Sequence, residues 1–295
     1  MIAYQPVCEL AFRVTAKDFY NLLSGQTRSI DKRRTPLEFK TILYTEAQGV
    51  VTITLNRPDK RNAISYELID DLLAGMARAS ESPAHVVIVT GAGQAFCSGM
   101  DLENLKQLAG RTHEQSLQDS ETMARLFRSI HEFPKPTIAA VNGPAIAGGT
   151  GLATLCDFTL AIPEAKFGYT EVRIGFMPAL VSTYLIANVG EKRARDLLLT
   201  GRIFSAQEAL GLGLVNEIVE GGRLMARAQE LAAQLMEMSP ASLRATKGLI
   251  TGYARARLDI QLHEAVRANA AIRQTEDFRE GIAAFLEKRK PKWKG

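Results

Sequence analysis

The sequence predicts an α/β fold with a helical C-terminal third. Short runs of β-branched and apolar residues alternate with stretches of helical periodicity as far as Pro178, and beyond it the pattern is almost entirely helical. Two glycine-rich turns, at 95–102 and 142–151, each follow a predicted strand. A chain of 295 residues is long enough to bury a substantial core around such a sheet.

The first predicted elements are a hairpin and a helix. Residues 39–45 and 50–55 are β-branched runs joined by a turn that contains Gly49. A helix follows, with Ser65 as its predicted cap and with apolar residues at helical spacing: Ile64, Leu68, Leu72, Leu73 and Met76. Residues 86–90 then form a short apolar strand that leads towards the first glycine turn.

The middle of the chain continues the alternation. The polar stretch 103–118 is interpreted as a flexible loop or lid, and the remaining elements are a helix at 120–131, a strand at 137–141, a helix at 149–156 and a strand at 157–162. Later helices are predicted near 182–188, 191–199, 205–210, 223–238, 240–254 and 275–288. The predicted domain boundaries are therefore an N-terminal extension at 1–36, a core at 37–225 and a C-terminal helical region at 226–295.

The N-terminal extension has weak periodicity and many more basic than acidic residues. Both a weakly ordered segment and an Arg-rich transit peptide fit this pattern. Three cysteines without metal-ligand spacing, and no secretion signal, predict a reduced, cytoplasmic protein. The four histidines fall in no metal-binding motif, so no metal site is predicted.

Charge and hydropathy exclude two classes of partner. The net charge of +4 is mild and the sequence has no basic stripe with interleaved aromatic residues, which argues against nucleic acid. No apolar run approaches the roughly 20 residues that span a bilayer, so no membrane partner is predicted. The one basic cluster, at 288–292, is typical of a solvated tail.

The two glycine turns carry the chemical prediction. Turns of this kind present backbone N–H groups, and two of them side by side are able to direct two donors at one oxygen atom. Such an oxyanion hole would indicate chemistry on a carbonyl or thioester group.

From about residue 39 to residue 293 the chain resembles the enoyl-CoA hydratase/isomerase (crotonase) superfamily. The matching segments occur in family order and spacing: LNRPDKRNAIS (55–65), VIVTGAGQAFCSGMDL (87–102), KPTIAAVNGPAIAGGTGLATLCDFTLA (135–161), AKFGYTEVRIGFMP (165–178), LLLTGRIFSAQEALGLGLVNEIV (197–219) and GIAAFLEKRKPKW (281–293). The resemblance implies a crotonase-like spiral of ββα units, homotrimers or homohexamers, and acyl-CoA thioester substrates. It implies no cofactor, because coenzyme A is part of the substrate.

The resemblance also assigns roles to residues. Met100 and Gly148 match the two oxyanion N–H donors, and Glu171 matches a carboxylate that acts as general acid and base. The matched substrate-binding positions are Lys60, Arg61, Ala63, Ser98, Gly99, Asp101, Leu102, Gly149, Gly151, Phe278 and Lys288.

Gly151 is a departure from the pattern of typical hydratases, which carry a second glutamate three residues after the oxyanion glycine. Members with one glutamate at the position of Glu171 resemble Δ3-Δ2-enoyl-CoA isomerases, although one-glutamate hydratases also exist. Both hydration of 2-enoyl-CoA and isomerisation, in fatty-acid or branched-chain acyl-CoA catabolism, remain open at this point. The alternative from another class is a non-catalytic binding protein for RNA or a protein partner.

Overall fold

A computed structural model describes residues 38–294. The strands are β1 (Ile42–Ala47), β2 (Val50–Leu55), β3 (Val86–Gly91), β4 (Thr137–Val141), β5 (Ala145–Ile146), β6 (Phe158–Ala161), β7 (Lys166–Gly168), β8 (Ile203–Ser205) and β9 (Glu217–Ile218). The α-helices are α1 (Tyr66–Glu81), α2 (Leu102–Leu108), α3 (His113–His131), α4 (Gly148–Thr154), α5 (Ala179–Val189), α6 (Glu191–Thr200), α7 (Ala206–Gly211), α8 (Leu224–Met236), α9 (Pro240–Ile272) and α10 (Glu276–Leu286). Short 3-10 turns lie at Pro58–Lys60, Glu171–Ile174 and Gly221–Arg223.

Two sheets form the framework. The larger has the strand order β1-β2-β3-β4-β6-β9, in which β1 and β2 form an antiparallel hairpin and the other neighbours are parallel. The smaller has the order β5-β7-β8. Because the parallel strands β2, β3, β4 and β6 end at the same edge of the large sheet, the turns that follow them meet there, and this edge is where α/β sheets commonly bind ligands.

The centre of the large sheet is covered on both faces. Every residue of β4 is buried, and so is every residue of β3 except Gly91, as expected for parallel strands between layers of helices. On one face α8 places Ala228 and Ala232 in a cluster with residues of the central strands. These small side chains let the helix lie close to the sheet. The packed core in turn holds the strands, and therefore their ends, in position.

The predicted hairpin and most of the predicted helices are confirmed within a few residues, but the predicted loop or lid at 103–118 is wrong. Residues 102–108 form α2, capped by Asp101, and α3 begins at His113. The Thr112 side chain accepts a hydrogen bond from the N–H of Gln115, and the Gln115 side chain accepts one from the N–H of Thr112. The segment is polar because its helices are partly exposed, and not because it is irregular.

Two further differences concern the length of one helix and four short strands. The helix predicted at 240–254 continues as α9 to Ile272. The short strands β5, β7, β8 and β9 were not predicted. The predicted boundary between residues 225 and 226 falls inside α8, and the predicted extension 1–36 lies outside the described residues. No described helix has the length and apolar character needed to cross a membrane.

Candidate active site

The two glycine turns lie against each other at the carboxyl edge of the large sheet. The N–H groups of Phe96 and Cys97 both donate to the carbonyl oxygen of Pro144 at 3.1 Å, and the N–H of Ile146 donates to the carbonyl oxygen of Cys97 at 2.9 Å. Gly149 lies so close to the first turn that a Cβ atom there would overlap the carbonyl oxygen of Cys97. The second turn therefore requires glycine for close approach at this position.

The first turn presents the N–H group of Met100 without an acceptor among the described residues. Ile64 donates to the carbonyl oxygen of Gly99 at 2.7 Å and accepts from the N–H of Asp101 at 2.9 Å. These two bonds hold the residues on either side of Met100, whose own N–H donates to no acceptor among residues 38–294. Gly99 has a φ of +89°, which L side chains rarely adopt.

The second turn presents a similar group at the start of α4. Gly148 is the first residue of that helix, so its N–H has no partner within the helix, and none is found elsewhere in the described chain. Ala147, just before it, has φ +52° and ψ −123°, an unusual conformation for alanine. Its N–H donates to the carbonyl oxygen of Gly168 at 2.6 Å, which holds the strained residue in place.

One cavity of about 720 Å3 joins these turns to Glu171. Met100, Gly148 and Glu171 all line it. Apolar side chains from several helices form much of the remaining wall: Leu105, Met123, Phe127, Phe176, Met177, Leu180, Val181 and Phe285. The cavity thus brings together two backbone donors, one carboxylate and an apolar chamber.

Glu171 is buried at the start of the 3-10 turn that follows β7. Its Oε2 atom is buried and has no hydrogen-bond partner among the described residues. Desolvation by burial raises the pKa of the Glu171 carboxyl to about 7. Near neutral pH a carboxyl with such a pKa is present in both its protonated and its ionised form. A group that both accepts and returns a proton needs both forms.

Three aspartates also line the cavity, but they are placed differently from Glu171. Arg57 binds the Asp101 carboxylate at 2.8 Å, and Arg273 binds that of Asp119. Asp59 is exposed. The hydrogen bond from the N–H of Glu103 and the charge of Arg57 lower the pKa of Asp101 against the opposing effect of its burial, so Asp101 remains an anion that caps α2.

The turn that carries Glu171 is supported from behind by α10. A Cβ atom on Gly281 would overlap the backbone of Ile174, and one on Gly175 would overlap that of Asp277. The aromatic rings of Phe176 and Phe278 also pack at 5.4 Å between centroids. The C-terminal helix therefore sits directly on the backbone of the Glu171 turn.

Ten of the residues predicted from the sequence line the cavity: Lys60, Arg61, Ala63, Ser98, Gly99, Met100, Asp101, Leu102, Gly148 and Glu171. Four others do not: Gly149, Gly151, Phe278 and Lys288. Gly149 is in contact with the first turn, and Phe278 has no exposed surface and packs in an apolar cluster with Leu105 and Ile282. Phe278 thus packs in the core of the single chain, and its predicted ligand contact stays a prediction. Lys288 is exposed, whereas its neighbour Arg289 lines the cavity.

Gly151 faces protein atoms. A Cβ atom at this position would lie 2.8 Å from Cγ1 of Val181 and 3.3 Å from Cζ of Phe127. Both of these side chains line the cavity. The position at which typical hydratases carry their second glutamate is thus filled by apolar groups from α5 and α3.

Two sets of buried polar residues were not predicted from the sequence. Asn62 is fully buried and receives the N–H of Arg57 while it donates to the carbonyl oxygens of Ala92 and Ala95. Its place in the segment LNRPDKRNAIS (55–65), which was matched to the family, was the available signal. A second set, formed by Asp119, Asn269 and Arg273, lines the cavity far from any glycine turn, and no local pattern pointed to it.

Comparison with known proteins agrees with this site. The family model described as "Enoyl-CoA hydratase/isomerase" matches residues 45–295. The chain belongs to the enoyl-CoA hydratase/isomerase family. The fold is accordingly the crotonase fold, as predicted, and the chain is an enzyme of this family. The alternative of a non-catalytic binding protein is not favoured, because the relatives below are named as enzymes.

Three similar proteins illustrate the relationship. A putative enoyl-CoA hydratase of Thermus thermophilus is 44% identical, over 85% of this chain and 100% of the relative. An enoyl-CoA isomerase/hydratase of Mycosarcoma maydis is 33% identical, over 85% of this chain and 94% of the relative. The crystal structure of an enoyl-CoA hydratase/isomerase from Xanthobacter autotrophicus has a TM-score of 0.80 at 31% identity, over 88% of this chain and 100% of that chain.

Proposed function

We propose that this enzyme transfers a proton at the carbon next to an acyl-CoA thioester, through an enolate. The N–H groups of Met100 and Gly148 would donate to the thioester oxygen, and Glu171 would take up the proton. The observation that supports this most is that two backbone donors without acceptors and one buried carboxyl group, whose Oε2 atom has no partner among the described residues, line the same cavity.

The magnitudes support a functional role for both N–H donors. Removing one donor from an oxyanion hole typically costs about 3 kcal/mol of transition-state stabilisation, or roughly 10²–10³ in rate. A positioned general acid or base contributes about 10²–10⁴. The apolar wall around Glu171 excludes water, which strengthens both effects because the effective dielectric constant is low.

The reaction that the site supports best is isomerisation of a 3-enoyl-CoA to a 2-enoyl-CoA. The Glu171 carboxylate removes a proton from C2, and the electron pair of that C–H bond moves towards the thioester oxygen. The protonated Glu171 then delivers the same proton to C4, while the double bond shifts from C3–C4 to C2–C3. One carboxylate suffices for this sequence, which agrees with the apolar filling around Gly151.

Hydration of a 2-enoyl-CoA is the second candidate. The name of the Thermus thermophilus relative, a putative hydratase, favours it. In that reaction Glu171 would be the only carboxylate at the two positions 151 and 171. The attacking water would then need another hydrogen-bond partner in the cavity.

Coenzyme A itself would lie along the exposed mouth, where Lys60 and Arg61 supply positive charge for its phosphates.

The test is an assay with crotonyl-CoA and a 3-enoyl-CoA, followed by mass spectrometry. Addition of water increases the product mass, whereas isomerisation leaves the mass unchanged and moves the double bond. We expect Glu171→Gln to lose at least 10²-fold in kcat and to bind CoA thioesters as the wild type does. Glu164→Gln is the control, since Glu164 is exposed and does not line the cavity. Full turnover by Glu171→Gln would refute the assigned role.

We further propose that the chain assembles as a homotrimer or homohexamer. Four large apolar side chains of α9 are exposed in the single chain: Leu249, Ile250, Tyr253 and Ile260. Exposed apolar groups of this number on one long helix are typical of an assembly surface. Light scattering during size-exclusion chromatography measures the mass directly, and a monomer at micromolar concentration would refute the proposal.

A further inference from the structure

A buried charged cluster forms one wall of the cavity. Asp119 on α3, together with Asn269 on α9 and Arg273 at its end, lines the same space as Glu171. Only 3% of Arg273 is exposed, and Asp119 is also buried. Ionised groups are rarely buried to this extent unless they are paired, and their presence in an otherwise apolar acyl chamber requires an explanation.

With Arg111, which is partly exposed and lies outside the cavity lining, the cluster contains two positive charges and one negative charge. Arg273 Nη1 lies 2.5 Å from Asp119 Oδ2, and Arg111 Nη1 lies 3.3 Å from Asp119 Oδ1. Arg273 Nη2 also donates to the side-chain oxygen of Asn269 at 2.7 Å. Two guanidinium groups therefore share one carboxylate, and both oxygens of that carboxylate are already engaged.

Arg273 also retains an unused donor. Its Nε atom is buried and has no hydrogen-bond partner among the described residues. Leaving a charged donor unsatisfied is costly, because the group has lost its water and gained nothing in exchange. An arginine offers a planar fork that fits a carboxylate particularly well.

The position of Arg273 relates it to the acyl part of the cavity. Its guanidinium carbon lies 5.3 Å from the centre of the Phe176 ring, and the N–H of Phe176 donates to the carbonyl oxygen of Glu171 at 3.1 Å. Asp119 precedes Met123, another cavity residue, by one helical turn on α3. The cluster is thus connected through Phe176 to the turn that carries Glu171, and it lines the same cavity.

We propose that the acyl group of the substrate carries a carboxylate at its far end, and that Arg273 binds this carboxylate. The substrate class is then a mono-CoA thioester of an unsaturated dicarboxylic acid. The ligand carboxylate balances the excess positive charge of the cluster and accepts from the guanidinium group. Asp119 and Asn269 act as positioning residues that hold the arginine. This inference rests on the proposed function, because it assumes that the cavity takes an acyl-CoA.

The test compares hexanoyl-CoA with adipyl-CoA, two saturated analogues that the enzyme cannot turn over. Both acyl groups have six carbons, and the sixth carbon is a methyl group in hexanoyl-CoA and a carboxylate in adipyl-CoA. Dissociation constants are measured by titration calorimetry on the full chain. We expect the wild type to bind adipyl-CoA about 10- to 100-fold more tightly than hexanoyl-CoA, the range expected for a hydrogen bond to a charged group. Equal affinity, or preference for hexanoyl-CoA, overturns the carboxylate site.

Two variants localise the effect. Arg273→Gln should lose the preference for adipyl-CoA while binding hexanoyl-CoA as before, and Arg279→Gln, which alters an exposed arginine on α10, should retain it. A folded Arg273→Gln protein with an unchanged preference overturns the proposal. If Arg273→Gln fails to fold, Arg273→Lys replaces it. This variant keeps one positive charge but loses the guanidinium fork and its Nε donor, so the preference for adipyl-CoA should shrink, and an unchanged preference overturns the proposal. Binding of neither analogue to the wild type refutes the proposed function itself.

Discussion

Val181 occupies the space that any side chain at Gly151 would need: a Cβ atom there would lie 2.8 Å from Val181 Cγ1. The two residues come from α4 and α5 and meet beside the cavity. The absence of a second glutamate is therefore accompanied by a compensating apolar side chain. Introducing that carboxylate requires a change at both positions.

Gly151→Glu alone is expected to destabilise the protein by about 1–3 kcal/mol, because it overpacks the contact with Val181. The double variant Gly151→Glu/Val181→Gly opens the space and should recover part of that loss. It should also raise the ratio of hydration to isomerisation, since a second carboxylate can then hold a water. Thermal melting and mass spectrometry of the products measure the two effects. A double variant with the same product ratio as the wild type would show that position 151 does not control the reaction.

Glu171→Gln is expected to raise stability at neutral and alkaline pH. The pKa of Glu171 is raised from an ordinary 4.5 to about 7, so the folded state holds its proton more tightly than the unfolded state between these values. The stability gained from this proton is fully present below pH 4.5 and is lost as the pH rises through 7. The difference corresponds to about 3 kcal/mol. Glutamine remains neutral throughout and escapes this loss.

Urea unfolding of wild type and Glu171→Gln from pH 4.5 to pH 8 measures this linkage. The gap between their free energies of unfolding should widen in favour of the variant as the pH rises. Glu164→Gln, at an exposed site, should follow the wild type. A gap that stays constant over the whole range would mean that Glu171 titrates normally.

Gly149→Ala is expected to separate the two glycine turns, because the new methyl group would overlap the carbonyl oxygen of Cys97. We expect a loss of at least 2 kcal/mol in stability and of roughly 10²-fold or more in kcat. Gly248→Ala is the matched control. Gly248 lies in α9, where a Cβ atom would meet no atom from another part of the described chain, and alanine there should stabilise the helix by about 0.5–1 kcal/mol. Similar melting temperatures for the two variants would refute the close-approach argument.

Arg57→Gln is expected to weaken the first turn. Arg57 donates to the Asp101 carboxylate at 2.8 Å and to the carbonyl oxygen of Ala63 at 2.6 Å, and both acceptors lie beside the cavity. A loss of about 2–3 kcal/mol is expected from hydrogen bonds of this kind. Arg223→Gln removes an exposed ion pair with Glu230 and should change stability by less than about 1 kcal/mol. Equal effects in denaturant unfolding would argue against a structural role for Arg57.

The two glycine turns could be placed from the sequence because each follows a predicted strand and needs glycines that are visible in the sequence. The roles of Met100 and Gly148 within these turns came from the family resemblance and stay predictions. Arg273 and Asp119 could not be paired in this way, because 154 positions separate them and only tertiary packing brings them together. Their contact depends on where α9 ends, and the helical pattern was followed only to residue 254.

The prediction of a loop at 103–118 was wrong for a different reason. Its polar composition suggested a loop, yet Asp101 and Thr112 are good helix caps, and Gln115 completes a capping box with Thr112. These capping signals are visible in the sequence, and the segment forms helices in spite of its polar composition. A polar helix that exposes one face looks like a loop when only average hydropathy is considered.

The contact of Gly281 and Asp277 with the backbone at Ile174 and Gly175 has a consequence for how the enzyme becomes active. The residues that brace the Glu171 turn follow both glycine turns along the chain and are therefore synthesised after them. A growing chain that has not yet reached α10 holds the residues of the large sheet and of both glycine turns, but it does not hold the brace for Glu171. A variant without α10 would accordingly separate the formation of the two turns from the positioning of Glu171.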